Sequence, residues 1–241
     1  MTAGPTARGA FVAGTDTGIG KTRLVVGMLR ALRLGGWRAI GMKPVASGAI
    51  RTDRGLINDD VVTIAAESDQ NASEQAAAAN INPYCFEPAV SPHIAAEMAG
   101  IFVDLERISA AYGRLAQKHD AVIVEGTGGW LTPIGPRTTM ADVAVVLDLP
   151  VVLVVGVRLG CLSHALLTAD AIDHAGAHLI GWVANLIDPA MLALSENLDT
   201  LKQRLSAPPL GLLARAPDAA KDAEALAAAA GFLMSDFPAR R

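Results

Sequence analysis

The chain has 241 residues, a formal net charge of -4, 51% hydrophobic residues, 18% charged and 4% aromatic. That balance is too apolar for a solvated disordered chain, suits one core better than two half-sized ones, and offers no global positive field for nucleic acid. Two cysteines, Cys85 and Cys161, are too few for a disulfide scaffold or structural zinc site, no run nears the roughly 20 apolar residues of a membrane span, and Met1–Arg8 lacks an apolar leader core. The expectation is a cytoplasmic protein, residues 1–241 forming one domain, without membrane or nucleic-acid partners.

Ala10-Phe11-Val12-Ala13 reads as a strand that ends in a Gly-rich turn, and the apolar spacing of Leu24, Val25, Met28, Leu29 and Leu32 predicts a helix from Lys21. Gly35-Gly36 stops it, and Trp37–Met42 reads as a second strand. From about Ala46 to Pro92, Gly48, Gly55, Pro83, Pro88 and Pro92 break any long periodicity, the kind of irregular segment that often carries function in α/β proteins. Within it Gln75–Ala79 reads as a plain surface helix. Asn58-Asp59-Asp60 opens an apolar helix (Val61, Val62, Ile64), so its acids serve either as a cap or as ligands.

A third strand is expected at Asp120–Val124 and another at Val151–Val155, followed by helical spacing through Leu162, Leu166, Ala169 and Ile172. Leu179–Ala184 and Leu210–Leu213 supply further strands, and Ala219–Ala230 a covering helix. Continuous apolar strands alternating with helices predict an α/β fold: a mostly parallel central sheet with helices on both faces.

Gly14-Thr15-Asp16-Thr17-Gly18-Ile19-Gly20-Lys21-Thr22 lies between the first strand and first helix. Its glycines can turn backbone N–H groups toward phosphates, Lys21 can reach the terminal phosphates and Thr22 can ligate magnesium, all at a helix N-terminus that favours anions. The spacing is a variant: the usual phosphate-loop pattern would put glycine at position 15, where this chain has Thr15. Such a loop needs a carboxylate near the metal, and Glu125, directly after Val122-Ile123-Val124 and before Gly126-Thr127-Gly128-Gly129, fits that need. Lys43, in Met42-Lys43-Pro44-Val45-Ala46-Ser47-Gly48, leaves the second strand at the edge where open α/β sheets bind ligands.

These segments, together with Asn82-Pro83-Tyr84, Ser91-Pro92-His93-Ile94, Leu159-Gly160-Cys161 and Gly181-Trp182-Val183-Ala184-Asn185, resemble the dethiobiotin synthetases, ATP-dependent enzymes of biotin synthesis with a phosphate-loop fold. The resemblance implies ring closure on 7,8-diaminopelargonic acid with carbon dioxide and ATP. It implies magnesium held by Thr22, Asp60 and Glu125, with Asp60 preferred over Asp59, and catalytic roles for Lys43 and Lys21. Nucleotide contacts are implied along Gly18, Ile19, Gly20, Lys21, Thr22 and Arg23, at Asp60 and Glu125, and in the Gly126, Thr127 and Gly128 turn. Base contacts would fall at Asn185, Leu186, Ala214, Arg215 and Ala216, the last three departing from a Pro-containing family pattern. Gly18 stands where some members carry an acid.

The diamine would meet Ser47, Ser91 and Pro92. Its carboxylate would meet the helix start at Leu159, Gly160 and Cys161, in a homodimer whose substrate lies near the subunit interface. Two other readings stand beside this one. A partition or localisation ATPase shares the early phosphate loop but uses a lysine where this chain has Asp16, and a GTPase is suggested by the Asn-x-x-Asp spacing of Asn185-Leu186-Ile187-Asp188, which lacks the intervening lysine.

Overall fold

The computed structural model describes residues 8–53, 55–69, 74–213 and 230–231. In chain order the elements are β1 (Arg8–Gly14), α1 (Lys21–Leu34), β2 (Ala39–Met42), β3 (Val45–Ala46), β4 (Ile50–Thr52), β5 (Gly55–Ile57), α2 (Asp59–Ala66), α3 (Glu74–Ile81), β6 (Tyr84–Cys85), α4 (Pro92–Met98), α5 (Leu105–Ala116), β7 (Ala121–Glu125), α6 (Met140–Leu147), β8 (Val151–Val157), α7 (Cys161–His174), β9 (Leu179–Leu186), α8 (Leu194–Arg204) and β10 (Pro209–Leu213). Six of the strands form one sheet in the order β10-β9-β8-β1-β7-β2, and all five of its pairings are parallel.

Both faces of that sheet are covered, which is why its strands carry near-continuous apolar sequence. Phe11 and Ala13 of β1, Val122 and Val124 of β7, and Leu153 and Val155 of β8 join α5, α6 and α7 in one core cluster. Their alternates Ala10, Val12, Ile123, Val152 and Val154 pack with the Leu24, Val25, Met28, Leu29 and Leu32 face of α1. In β9 the register against β8 slips between Val151 and Val152. Beyond the slip Trp182 and Ala184 face the first cluster and Val183 the second, which directs Asn185 to the α1 side.

The chain runs from β1 to β2 on one side of the sheet and from β8 to β9 on the other, so the crossovers diverge at β1/β8. The carboxyl ends of the strands there form the crevice in which such sheets hold ligands. α2 approaches β2 closely enough that only glycine fits at position 41, where a Cβ would stand 2.2 Å from Ile64 Cγ2.

Several boundaries differ from the sequence-based expectation. β2 starts at Ala39 rather than Trp37; Trp37 instead packs under the Arg8 guanidinium, 5.3 Å from the ring centre. β9 runs on to Leu186, so Asn185 lies inside the strand and not after it. The irregular middle segment holds two small sheets, β3-β6 and β4-β5, besides α2 and α3, and α3 contains the expected Gln75–Ala79 helix. The covering helix expected at Ala219–Ala230 falls outside the described residues except at its last position.

Candidate active site at the carboxyl edge of the sheet

The phosphate loop joins β1 to α1 and ends on Gly20, the N-cap of α1, with φ 93°. Glycine is needed there twice over: the left-handed φ disfavours a side chain, and a Cβ would lie 2.3 Å from Asn185 Nδ2. Lys21 is buried, and its Nζ donates back to the Asp16 carbonyl at 2.8 Å, curling the loop. Burial lowers the Lys21 pKa to about 8, against the opposing pull of Glu125.

Beneath the loop, four of the expected residues converge. Glu125, at the end of β7, is 1% exposed. Its Oε1 accepts from Thr22 Oγ1 at 3.0 Å and from Lys43 Nζ at 2.7 Å. Lys43, 5% exposed after β2, also donates to Asp60 Oδ2, which reaches in from the first turn of α2 while Asp59 is exposed. Burial opposes the Lys43 charge, but Glu125 and Asp60 outweigh it and hold the ammonium above the usual lysine value. Burial likewise opposes ionisation of Asp60, and Lys43 prevails, keeping that carboxyl low. For Glu125 burial wins and its pKa is raised despite Lys43.

Glu125 Oε2 is buried without a hydrogen-bond partner, an oxygen with unused acceptor capacity beside a hydroxyl and a second carboxylate. An all-oxygen donor set of this kind suits magnesium, a hard cation that keeps several waters and takes phosphate oxygens for the rest. Among the described residues no group of three or more His, Cys, Asp or Glu is placed to hold a metal ion.

The neighbouring loops are tied to this centre. Gly126 N–H donates to the Val12 carbonyl at 3.0 Å, a Cβ on Gly129 would stand 3.6 Å from the Gly14 carbonyl, and Thr127 Oγ1 donates to the Val45 carbonyl. The hydroxyl of Thr127 is thus spent on the loop that carries Lys43. Two residues given no role from sequence hold that same loop. Asn82 Nδ2 donates to the Lys43 carbonyl at 2.6 Å and to that of Tyr84 at 3.0 Å; Asn58, the N-cap of α2, donates to the Ser47 carbonyl at 3.1 Å. The cap of α2 is therefore Asn58, which leaves Asp60 available to Lys43.

Ser47 is half-buried at the end of β3. Ser91 is the N-cap of α4 and Pro92 its first residue, and the His93 N–H donates to Pro133, on the segment that continues the Gly126–Gly129 turn. Gly160, φ 93°, is the N-cap of α7. Cys161 is buried in the core and its N–H is already donated to the Arg158 carbonyl at 3.0 Å, whereas the Leu159 side chain is 90% exposed. Arg158 itself pairs with Asp16 Oδ2 at 2.5 Å, a link between the β8–α7 and phosphate loops with no sequence signal. Asn185 reaches the phosphate loop, Leu186 ends β9, and Ala214, Arg215 and Ala216 lie outside the described residues.

Residues 8–223 match the model of an AAA domain family. An ATP-dependent dethiobiotin synthetase BioD of Aromatoleum aromaticum is 48% identical over 86% of this chain and 90% of its own. The protein of the same name from Pseudomonas paraeruginosa is 49% identical over 87% and 90%, and that from Xanthomonas oryzae 46% over 89% and 94%. Among solved structures, the fold is similar to the MinD cell division protein of Aquifex aeolicus (TM-score 0.57, 15% identity, 98% of this chain and 100% of that one). It is also similar to a cobyrinic acid a,c-diamide synthase of Mycobacterium smegmatis (TM-score 0.52, 16% identity, 95% and 94%). At such identities these two likenesses show the fold alone. With nearly half of its residues shared over most of both chains and a phosphate loop set above a Thr22–Lys43–Asp60–Glu125 cluster, the chain belongs to the ATP-dependent dethiobiotin synthetase family.

Proposed function

We propose that the chain closes 7,8-diaminopelargonic acid into dethiobiotin, consuming carbon dioxide and ATP and releasing ADP and phosphate. The carrying observation is the convergence of Lys43, Asp60, Glu125 and Thr22 beneath the phosphate loop, within a chain of this family. One amine takes up carbon dioxide as a carbamate and loses a proton. The carbamate oxygen then attacks the terminal phosphorus, ADP departs, and the resulting mixed anhydride is open to attack by the second amine, which expels phosphate and closes the ring. A carbamate alone is a poor acyl donor, so the phosphoryl transfer supplies the leaving group.

The residues supply position and charge. Lys21 and the Gly18–Thr22 backbone hold the terminal phosphates, with Arg23, Gly126 and Gly128 bordering them. Lys43, released from part of its pairing with Asp60 and Glu125, stabilises the charge that gathers on the transferring group. Thr22, Asp60 and Glu125 would hold magnesium, which would supply positive charge to offset that of the phosphates. Ser47, Ser91 and Pro92 border the diamine. A homodimer with the substrate near its interface, at the helix start of Leu159, Gly160 and Cys161, is carried over from the family resemblance, and the Cys161 N–H, already given to the Arg158 carbonyl, would have to be freed to meet a carboxylate. The continuous sheet supports one ATP-binding unit over the chain. Among the described residues no helix is long and apolar enough to cross a membrane.

The test is direct: purified protein, magnesium, ATP, bicarbonate and 7,8-diaminopelargonate, with dethiobiotin and phosphate followed together. Equal amounts of both products, each requiring the diamine, are expected. Phosphate release that ignores the diamine would overturn the ligase reading in favour of a switch-type ATPase.

A further inference from the structure

Lys43 stands just past the end of the outermost strand. β2 is an edge of the sheet, its last pairing joins Met42 to Val124, and Lys43 follows beyond it. The backbone of Lys43 is taken up instead by the connection from α3 to β6. Its N–H donates to the Ile81 carbonyl at 2.8 Å, and its carbonyl accepts from Asn82 Nδ2 at 2.6 Å. The same Nδ2 donates to the Tyr84 carbonyl at 3.0 Å, so both hydrogens of the amide are used and its orientation is fixed. Asn82 is anchored in turn. Its N–H donates to the Ala78 carbonyl in the last turn of α3 at 3.0 Å, and Pro83 directs it away from continuing that helix. Arg107 Nη2 donates to the Pro83 carbonyl at 2.7 Å, and its guanidinium lies 4.6 Å from the centre of the Tyr84 ring.

We propose that Asn82 is a positioning residue for Lys43, acting on the rate of the reaction and not on nucleotide affinity. This rests on the reading that Lys43 stabilises the charge of the transferring phosphoryl group. In the free protein the ammonium is aimed by Glu125 and Asp60. When it turns from them to a phosphoryl group, a flexible stem joins it to the backbone, and what the head can reach depends on where that backbone is held. Removing the amide leaves the Lys43 carbonyl without its donor and lets the chain drift, and a displacement of about 1 Å is enough to slow a positioned reaction severely. The phosphate loop is fastened by other groups, Lys21 on the Asp16 carbonyl and Arg158 on the Asp16 carboxylate, so nucleotide affinity does not depend on Asn82.

Calorimetry with MgATP gives the affinity and the fraction of binding-competent protein for wild type and Asn82→Ala, and dethiobiotin formation at saturating ATP, bicarbonate and diamine gives kcat for that fraction. In the variant kcat should fall by roughly tenfold, the scale of one lost hydrogen bond, while the MgATP affinity stays as in wild type. An unchanged kcat per ATP-binding protein, whether or not the folded fraction drops, would make Asn82 merely structural and overturn the proposal. A loss of MgATP affinity as large as the loss of kcat would overturn it too. Asn82→Asp keeps the volume but sets a carboxylate oxygen against the Lys43 and Tyr84 carbonyls. It should lose kcat as the alanine does, and it carries the comparison should the alanine variant not fold. Wild-type protein that formed no dethiobiotin would overturn the ligase reading, and this proposal with it.

Discussion

Lys43 and Glu125 form an almost fully buried ion pair, 2.7 Å from Nζ to Oε1, at the junction of β7 and the segment after β2. The ammonium is shared with Asp60, whose side chain is half exposed, so one cation holds two carboxylates that would otherwise repel. Were Thr22, Asp60 and Glu125 to hold a cation, its charge would lessen the need for Lys43 between those acids and leave the lysine available to a phosphoryl group.

Lys43→Ala should therefore abolish turnover and also cost stability. From sequence, the substitution has no reason to disturb the fold, since no apolar cavity is involved. The pairing changes that expectation: deleting the lysine strands the Glu125 carboxylate in the interior, a loss of about 3 kcal/mol for a broken buried pair. Thermal melts should show the variant destabilised, and less so with magnesium and ATP present. A melt matching wild type would mean that Glu125 is simply protonated in the variant.

The site also predicts how magnesium and nucleotide are coupled. Glu125→Gln keeps the shape of the side chain but replaces the unpartnered, ionisable Oε2 with an uncharged atom. MgATP affinity should fall to near that of ATP measured in EDTA, a loss of at least about tenfold if one anionic ligand is worth a charge-assisted contact. Calorimetry with and without magnesium reads this out, and an undiminished magnesium effect would remove Glu125 from the ligand set.

How far such features could be read from sequence depends on the range of the interaction. The strands were legible because burial on both faces writes itself as local apolar runs, as in Val151–Val155, and Gly20-Lys21-Thr22 was legible because its geometry is set within a few residues. From sequence Asn185 falls outside its strand because a polar residue after Ala184 looks like a turn; nothing local shows that its partner is Ile19, 166 residues away. Asn82 and Asn58 were silent as positioning groups for a related reason: their partners are the carbonyls of Lys43 and Ser47, which have no side-chain signature. The face of α5 formed by Ile108, Ala111, Tyr112 and Leu115 was within reach of the same periodicity that identified α1.

Nucleotide binding should take up protons in mildly alkaline solution. Lys21 in the free protein titrates at about 8 because of burial, below an ordinary lysine, so part of the population is neutral at pH 8.5. The triphosphate favours the ammonium and raises the value. ATP affinity should hold steady well below pH 8 and weaken as pH rises through it, with proton uptake visible as a dependence of the binding heat on buffer ionisation enthalpy. For stability the sign is opposite: the folded value lies below the unfolded one, so Lys21 disfavours folding at lower pH and this penalty is relieved between about 8 and the ordinary lysine value. Binding heats independent of the buffer at pH 8.5 would show Lys21 to be fully charged.

Packing against β2 should reach the chemistry through Asp60. Gly41 leaves room for Ile64, and Ile64 is the buried anchor of α2, the helix whose first turn presents Asp60 to Lys43. Gly41→Ala puts a Cβ 2.2 Å from Ile64 Cγ2, so the helix must shift or the side chain must find another rotamer, at a cost of about 1–3 kcal/mol. If α2 is pushed outward, Asp60 leaves the reach of Lys43, and kcat should fall along with the melting temperature. Combining it with Ile64→Ala removes the worst clash, leaving a contact of 3.0 Å with the flexible end of Leu29, and should restore much of kcat even though the single Ile64→Ala change, which empties core volume, is itself destabilising. A double variant no better than Gly41→Ala alone would show that position 41 acts on the site by some route other than α2.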